Sequence, residues 1–387
     1  ATSTQPIEKQ VHGDGTVTYR ALSEHVIDVA WAASPDFREM TETVGDVTVQ
    51  VVYDAGRRSE ARRVLAATAE ALPAYEGWYG PYGRGLYPHL TVVVVPSGAG
   101  GAGGMEYPTL FTTGMMDAPG PRCVRLLEVE TVHELGHQWF QTMVATNEAE
   151  EPWLDEGITD YSAARAMQAL YDGAVFDCGG WSLTYLAGQR MSYIMNPDIP
   201  MEGKAWSFES GYSTATYSKP VVALSTLQRR VGEEAMVRFL RTYVDRYAFD
   251  HPTADDLRTV MVETLGESEA AWFFDEAVAG GVSVNARVAS LSDEGSFLLR
   301  EGELCLPTVV EVIDEGEVKM VDWRCDRSER TLTPGPDAIE IDPQHVNLLD
   351  TSLADNGLRQ RPNLKAWLGT LIRLIRTFQS FYRGVGL

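Results

Sequence analysis

The chain has 387 residues, 44% hydrophobic and 22% charged, enough to bury a sizeable core and to form more than one domain. Its 55 acidic and 32 basic residues leave a formal charge of −23, which opposes phosphate backbones and anionic lipid, so nucleic acid is not an expected partner. No stretch reaches the ~18 uncharged apolar residues that a membrane span requires.

The opening ATSTQPIEKQ has no apolar run and no initiator Met, and reads as a processed or truncated end. Residues 1–55 read as strands, with alternation in GTVTYRAL and DVTVQVVYD. A helix is predicted over about 57–79, with Pro73 expected to break or shift it. HLTVVVVP at 89–96 is a buried strand by its continuous valines. A glycine-rich bend follows, then MEYPTLFTT, expected at a sheet edge because Pro108 cannot donate to a ladder.

From Val124 to about Val278 the apolar period becomes helical, with segments near 156–171, 217–231, 233–247 and 254–265. Alternation returns through about 342, predicting a small β-domain over 281–350. The tail, 351–387, reads as a linker and an amphipathic helix with Leu364, Trp367, Leu368, Leu371, Ile375, Phe378 and Tyr382 on one stripe. Such a stripe suits a membrane surface, a protein partner or the protein's own core.

The four cysteines include no C-x-x-C pair. Cys305 and Cys325 each lie ten residues from Glu315, so a hairpin turning at Asp314-Glu315-Gly316 would set them opposite each other. A disulfide there would point to an extracytoplasmic, oxidising setting; two buried free thiols are the other reading.

The most informative stretch is TVHELGHQWF. On a helix His133 and His137 face the same way, and Glu134 sits beside them. Two imidazoles four apart can share one cation while the carboxylate takes a proton from water, the H-E-x-x-H arrangement of zinc peptidases. Two satisfied helix histidines would be the plain alternative. Glu156 lies nineteen residues after His137 on a second predicted helix, close enough to complete a two-His, one-Glu site with a position left for water. Asp160, one turn on, is placed either to accept the outer N–H of a ligand histidine or to face solvent.

HELGH, eighteen intervening residues and Glu156 within WLDEGITDY resemble the aminopeptidase N-like zinc metallopeptidases. GGMEYP at 103–108 resembles that family's exopeptidase motif, and ATYSKPVVAL resembles the segment with its transition-state tyrosine. The resemblance implies an α+β chain: a thermolysin-like, mostly helical catalytic domain with a small mixed sheet over 56–280, flanked by N-terminal β-strands and the C-terminal β-domain. It implies one zinc ion on His133, His137 and Glu156, with Glu134 as general base and acid and Tyr217 as oxyanion donor. Glu106 would pair with the substrate's free α-ammonium. Gly103, Gly104 and Met105 would let an extended peptide approach, with the adjoining edge strand pairing to it.

Three departures stand out. Tyr107 occupies the motif's asparagine position, Gln141 and Thr142 replace a Gly-Asn pair, and only the last strands of the family's N-terminal β-domain are expected within 1–55, with the β-domain where a large helical domain usually follows. An aminopeptidase acting on peptides is therefore the expected function. A zinc endopeptidase with an open cleft and a zinc-stabilised, non-catalytic scaffold are the alternatives.

Overall fold

The computed structural model describes residues 8–114, 120–361 and Leu368. The chain divides into two compact units, Ala1–Ser283 and Val284–Leu387.

In the first unit, β1 (Glu8–Val11) and β2 (Val17–Arg20) form an antiparallel hairpin. β3 (Phe37–Val44), β4 (Val47–Asp54), β5 (His89–Val94) and β6 (Leu110–Thr113) form a mixed sheet in that order, antiparallel at β3–β4 and parallel from β4 to β6. Every residue of β5 is buried, as a parallel strand covered on both faces requires. Pro108 lies in the turn before β6, outside the edge strand itself.

α1 (Arg58–Tyr79) runs unbroken through Pro73. The expected break does not occur: Pro73 is exposed to solvent, while Leu72, Tyr75 and Tyr79 anchor the helix in the core. Tyr75 donates to the Val132 carbonyl at 2.8 Å and stacks on Trp139, whose indole N–H donates to the Gly80 carbonyl. The Tyr79 hydroxyl meets Ser162 Oγ at 2.9 Å. The C-terminal half of α1 thus braces both segments that carry the candidate metal ligands.

α2 (Leu126–Gly136) is shorter than its periodicity suggests and stops where His137 begins. Beyond it Gln138 leaves the helical register, donating to the Tyr107 carbonyl and accepting from the Thr109 N–H. A π-turn, Trp153–Gly157, leads into α3 (Ile158–Tyr171). Between the helical segments predicted near 156–171 and 217–231, where no element was assigned, the chain forms a hairpin, β7 (Ala174–Cys178) and β8 (Trp181–Thr184). Its turn, Gly179-Gly180, has positive φ at both residues, a geometry glycine adopts without strain. α4 (Tyr185–Ile194), a second π-turn (Thr214–Ser218), α5 (Lys219–Val231), α6 (Glu233–Tyr247) and α7 (Ala254–Leu265) follow. A Cys123–Cys178 disulfide, which the sequence reading did not identify, ties the segment before α2 to β7.

The second unit pairs β9 (Val284–Leu291), β10 (Ser296–Gly302) and β13 (Glu329–Leu332) in one sheet, in the order β13-β10-β9. β11 (Thr308–Asp314), β12 (Glu317–Trp323), β14 (Ala338–Ile341) and β15 (Gly357–Arg359) form another, in the order β12-β11-β14-β15. Val288, Leu298, Val310, Trp323 and Ile341 belong to the core that both sheets supply. The β11–β12 loop has two residues, Glu315 and Gly316, one fewer than expected, and the Cys305–Cys325 disulfide lies beyond the ladder's ends. β15 extends the sheet into residues that read as linker. The amphipathic tail stripe lies outside the described residues apart from Leu368.

Close backbone approach positions the site. A Cβ at Gly157 would stand 2.5 Å from Pro220 Cβ, and one at Gly136 would stand 3.0 Å from Thr159 Cγ2. Only glycine lets the Glu156 turn pack on the start of α5. Gly157→Ala should therefore cost about 1–3 kcal/mol in urea unfolding; an unchanged midpoint would show that this contact does not constrain the fold.

Candidate functional site

His133 lies in the last turn of α2 and His137 caps it, while Glu156 comes from the π-turn that opens onto α3. Tertiary packing brings the three together: His133 Nε2 lies 3.1 Å from Glu156 Oε2 and 3.1 Å from His137 Nε2, which is 3.3 Å from the same carboxylate oxygen.

The outer face of each ring fixes which nitrogen carries the proton. His133 Nδ1 meets Asp160 Oδ1 at 3.1 Å. His137 Nδ1 meets Asp155 Oδ1 at 2.8 Å and the Phe140 carbonyl at 3.1 Å. These partners only accept, so both Nδ1 atoms donate, and in the neutral rings both Nε2 lone pairs would point inward at each other and at a carboxylate. Three electron-rich atoms so arranged repel unless a cation sits among them. Their spacing also suits one: ligands about 2.0–2.1 Å from a tetrahedral ion lie about 3.3 Å apart. The donor set therefore fits a divalent metal of the zinc type.

Titration points the same way. Burial opposes charge on His133, but the carboxylates of Asp160 and Glu156 outweigh it and push its pKa up to about 10. His137 is likewise raised against burial, chiefly by Asp155. Glu156 is held well below the usual carboxylate range by the two histidines, again against burial. In this cluster protons take the place a metal would fill.

Glu134 is 4% exposed, and its Oε2 is buried without a hydrogen-bond partner among the described residues. Burial pushes its pKa up to about 8, with Glu106 and Glu156 adding to the rise and the histidines opposing it. A cation between the histidines would favour the ionised form. Tyr217 lies on the π-turn Thr214–Ser218, with its ring centroid 6.1 Å from that of His133. Burial and the Glu156 charge raise its pKa far above the ordinary value, so the phenol stays a donor at any working pH.

Glu106 stands in a second group: carboxylate oxygens of Glu106, Glu148 and Asp155 lie within 4.8 Å of one another. Partial desolvation of the Glu148 carboxyl, together with Glu106 and Glu156, raises its pKa. Two carboxylates that the sequence reading did not single out, Asp155 and Glu148, thus belong to the site. Asp155 directly precedes Glu156, and that adjacency was the available signal; nothing local marks Glu148.

Gly103 is buried, Gly104 and Glu106 are half-buried, and Met105 is exposed. Gly104 adopts φ +68° and turns the segment back onto β6. Its N–H donates to the Thr112 carbonyl, and the Thr112 N–H donates to the Met105 carbonyl. The backbone of Thr112 in β6 is thus paired with Gly104 and Met105 of the same 103–113 segment.

The peptidase family M1 domain profile matches residues 64–276. Among similar proteins are human aminopeptidase RNPEPL1, 28% identical over 204 residues, covering 50% of this chain and 27% of the relative. Rat aminopeptidase B is 30% identical over 206 residues, covering 51% and 30%. A probable aminopeptidase 2 from Sulfurisphaera tokodaii is 23% identical over 316 residues, covering 78% and 40%. The chain thus spans between about a quarter and two-fifths of the length of these relatives. The crystal structure of Legionella pneumophila aminopeptidase A in complex with aspartic acid shares the fold, with a TM-score of 0.59, 14% identity, and coverage of 81% of this chain and 38% of that one.

Asp155 fixes the His137 ring from behind. Asp155→Asn should weaken binding of a divalent metal by about 10- to 100-fold in chelator competition. An unchanged affinity would mean that the ring is oriented by other groups.

Proposed function

This chain belongs to peptidase family M1, and from that premise we propose that it is a zinc-dependent aminopeptidase, releasing N-terminal residues from peptides by attack of an activated water. The observation that carries the proposal is the convergence of His133 Nε2, His137 Nε2 and Glu156 Oε2 beside the buried carboxylate oxygen of Glu134. His133, His137 and Glu156 would hold one zinc ion. When bound, zinc supplies Lewis-acid polarisation of the scissile carbonyl and a water that ionises near neutral pH.

The chain's own residues supply the remaining steps. Glu134, its Oε2 unengaged by any of the described residues, takes a proton from the attacking water and returns one to the departing amine. Tyr217, protonated throughout, donates to the oxyanion that develops on the carbonyl. Asp155 and Asp160 keep the imidazoles in the tautomer that presents Nε2 inward.

The negative group formed by Glu106, Glu148 and Asp155 favours a cationic end of the substrate, and Glu106 is the anchor proposed for the free α-ammonium. Gly103, Gly104 and Met105 line the approach as backbone. The disulfides Cys123–Cys178 and Cys305–Cys325 support an extracytoplasmic setting.

Glu134→Gln should retain zinc, measured by metal content, and lose about 10²- to 10⁴-fold in kcat. A wild-type chain that binds zinc yet hydrolyses nothing would favour the scaffold alternative. A free-amine aminoacyl reporter should be cleaved in preference to its N-acetylated counterpart, and Glu106→Gln should lower kcat/KM for the free amine about 10- to 100-fold. Preference for the blocked peptide would identify an endopeptidase instead.

A further inference from the structure

The hydrogen bonds that orient His133 continue past Asp160. The buried Asp160 carboxylate accepts from His133 and from the Tyr185 hydroxyl at Oδ1, and from Gln189 Nε2 at Oδ2, 2.6 Å away. Tyr185 and Gln189 are four residues apart on α4, so they share a face, and Gln189 Nε2 also lies 2.8 Å from the Tyr185 hydroxyl. The other end of the same amide accepts from Ser218 Oγ at 2.7 Å. Ser218 is buried and ends the π-turn on which Tyr217 is the preceding residue.

Gln189 can occupy this place in one orientation only. Reversing the amide would set its carbonyl oxygen against the Asp160 carboxylate, two acceptors facing each other. Glutamine is also suited to the role in a way a carboxylate is not, because one end must donate to an acid while the other accepts from a hydroxyl. The continuous path therefore runs from His133 through Asp160, Gln189 and Ser218 to the turn carrying Tyr217, with each link a direct hydrogen bond.

We propose that Gln189 is a positioning residue that sets the metal ligand His133 and the oxyanion donor Tyr217 at a fixed separation. At one end it holds the Asp160 carboxylate against the His133 ring. At the other it holds the π-turn so that the phenol stands over the metal group. The inference rests on the zinc aminopeptidase reading for the role of Tyr217, but its Asp160 half does not depend on catalysis.

Two variants separate the halves. Gln189→Leu removes both bonds at similar volume, and Ser218→Ala removes only the bond on the Tyr217 side. Zinc affinity is measured without substrate by competition with a chromogenic chelator, and kcat and KM are measured on a free-amine reporter. Gln189→Leu should weaken zinc binding about tenfold or more and lower kcat about tenfold, with KM within about twofold. Ser218→Ala should leave zinc affinity unchanged and lower kcat several-fold, and that loss should vanish in a Tyr217→Phe background. Wild-type zinc affinity in Gln189→Leu, or a Ser218→Ala loss that multiplies fully with Tyr217→Phe, would overturn the proposal. A wild-type chain that cleaves no reporter would instead refute the aminopeptidase reading, while the zinc titration of Gln189→Leu still decides the Asp160 half.

Discussion

Mutual repulsion among three electron-rich atoms is the constraint on which the rest of the first unit turns. Two imidazole Nε2 atoms and a carboxylate oxygen stand 3.1–3.3 Å apart and face one another. Without a positive charge between them this arrangement is unfavourable, so the surrounding protein must hold it in place. Asp155 and Asp160 do so from behind the rings, each accepting from an Nδ1 and turning the opposite nitrogen, Nε2, inward. Buried carboxylates are costly alone, and these two are tolerated because each has a charged or dipolar partner.

The scaffold behind them is aromatic and close-packed. Tyr75, Tyr79 and Trp139 lie fully buried where α1 meets the segments that carry His133, His137 and Glu156, and each spends its polar atom on a named partner. Gly136 and Gly157 then allow the backbones of α2, the Glu156 turn and α5 to approach within side-chain contact. Rigid large groups with two absent Cβ atoms give a site whose ligands have little room to relax. Such preorganisation is what a metal site with an open position needs.

Glu156 and Tyr217 both sit on π-turns, each opening directly onto an α-helix. A π-turn inserts an extra residue into the helical winding and rotates the side chains that follow it, so its residues leave the stripe that a 3.6 period would assign them. That is why periodicity located α3 and α5 to within two residues but could not say where Glu156 and Tyr217 would point. The β7–β8 hairpin was missed for a related reason: it is short, flanked by helices on both sides, and its diglycine turn was the sole local mark. Pro73 shows the opposite case, a local helix breaker overridden because tertiary contacts anchor α1 in the core.

By itself the sequence determined the ligand types and their helical spacing, the acid beside them, the long helices, and the alternating strands of both units. These are properties of nearest neighbours along the chain, and a side-chain pattern records them directly. The spacing and the family resemblance anticipated that Glu156 meets the histidines; only the tertiary structure decided that Asp155 stands behind His137, that Glu148 joins Glu106, and that Gln189 links Asp160 to Ser218. Those pairings join residues from 18 to 42 positions apart. Their distances follow from how turns, glycines and buried rings pack, which no local pattern encodes.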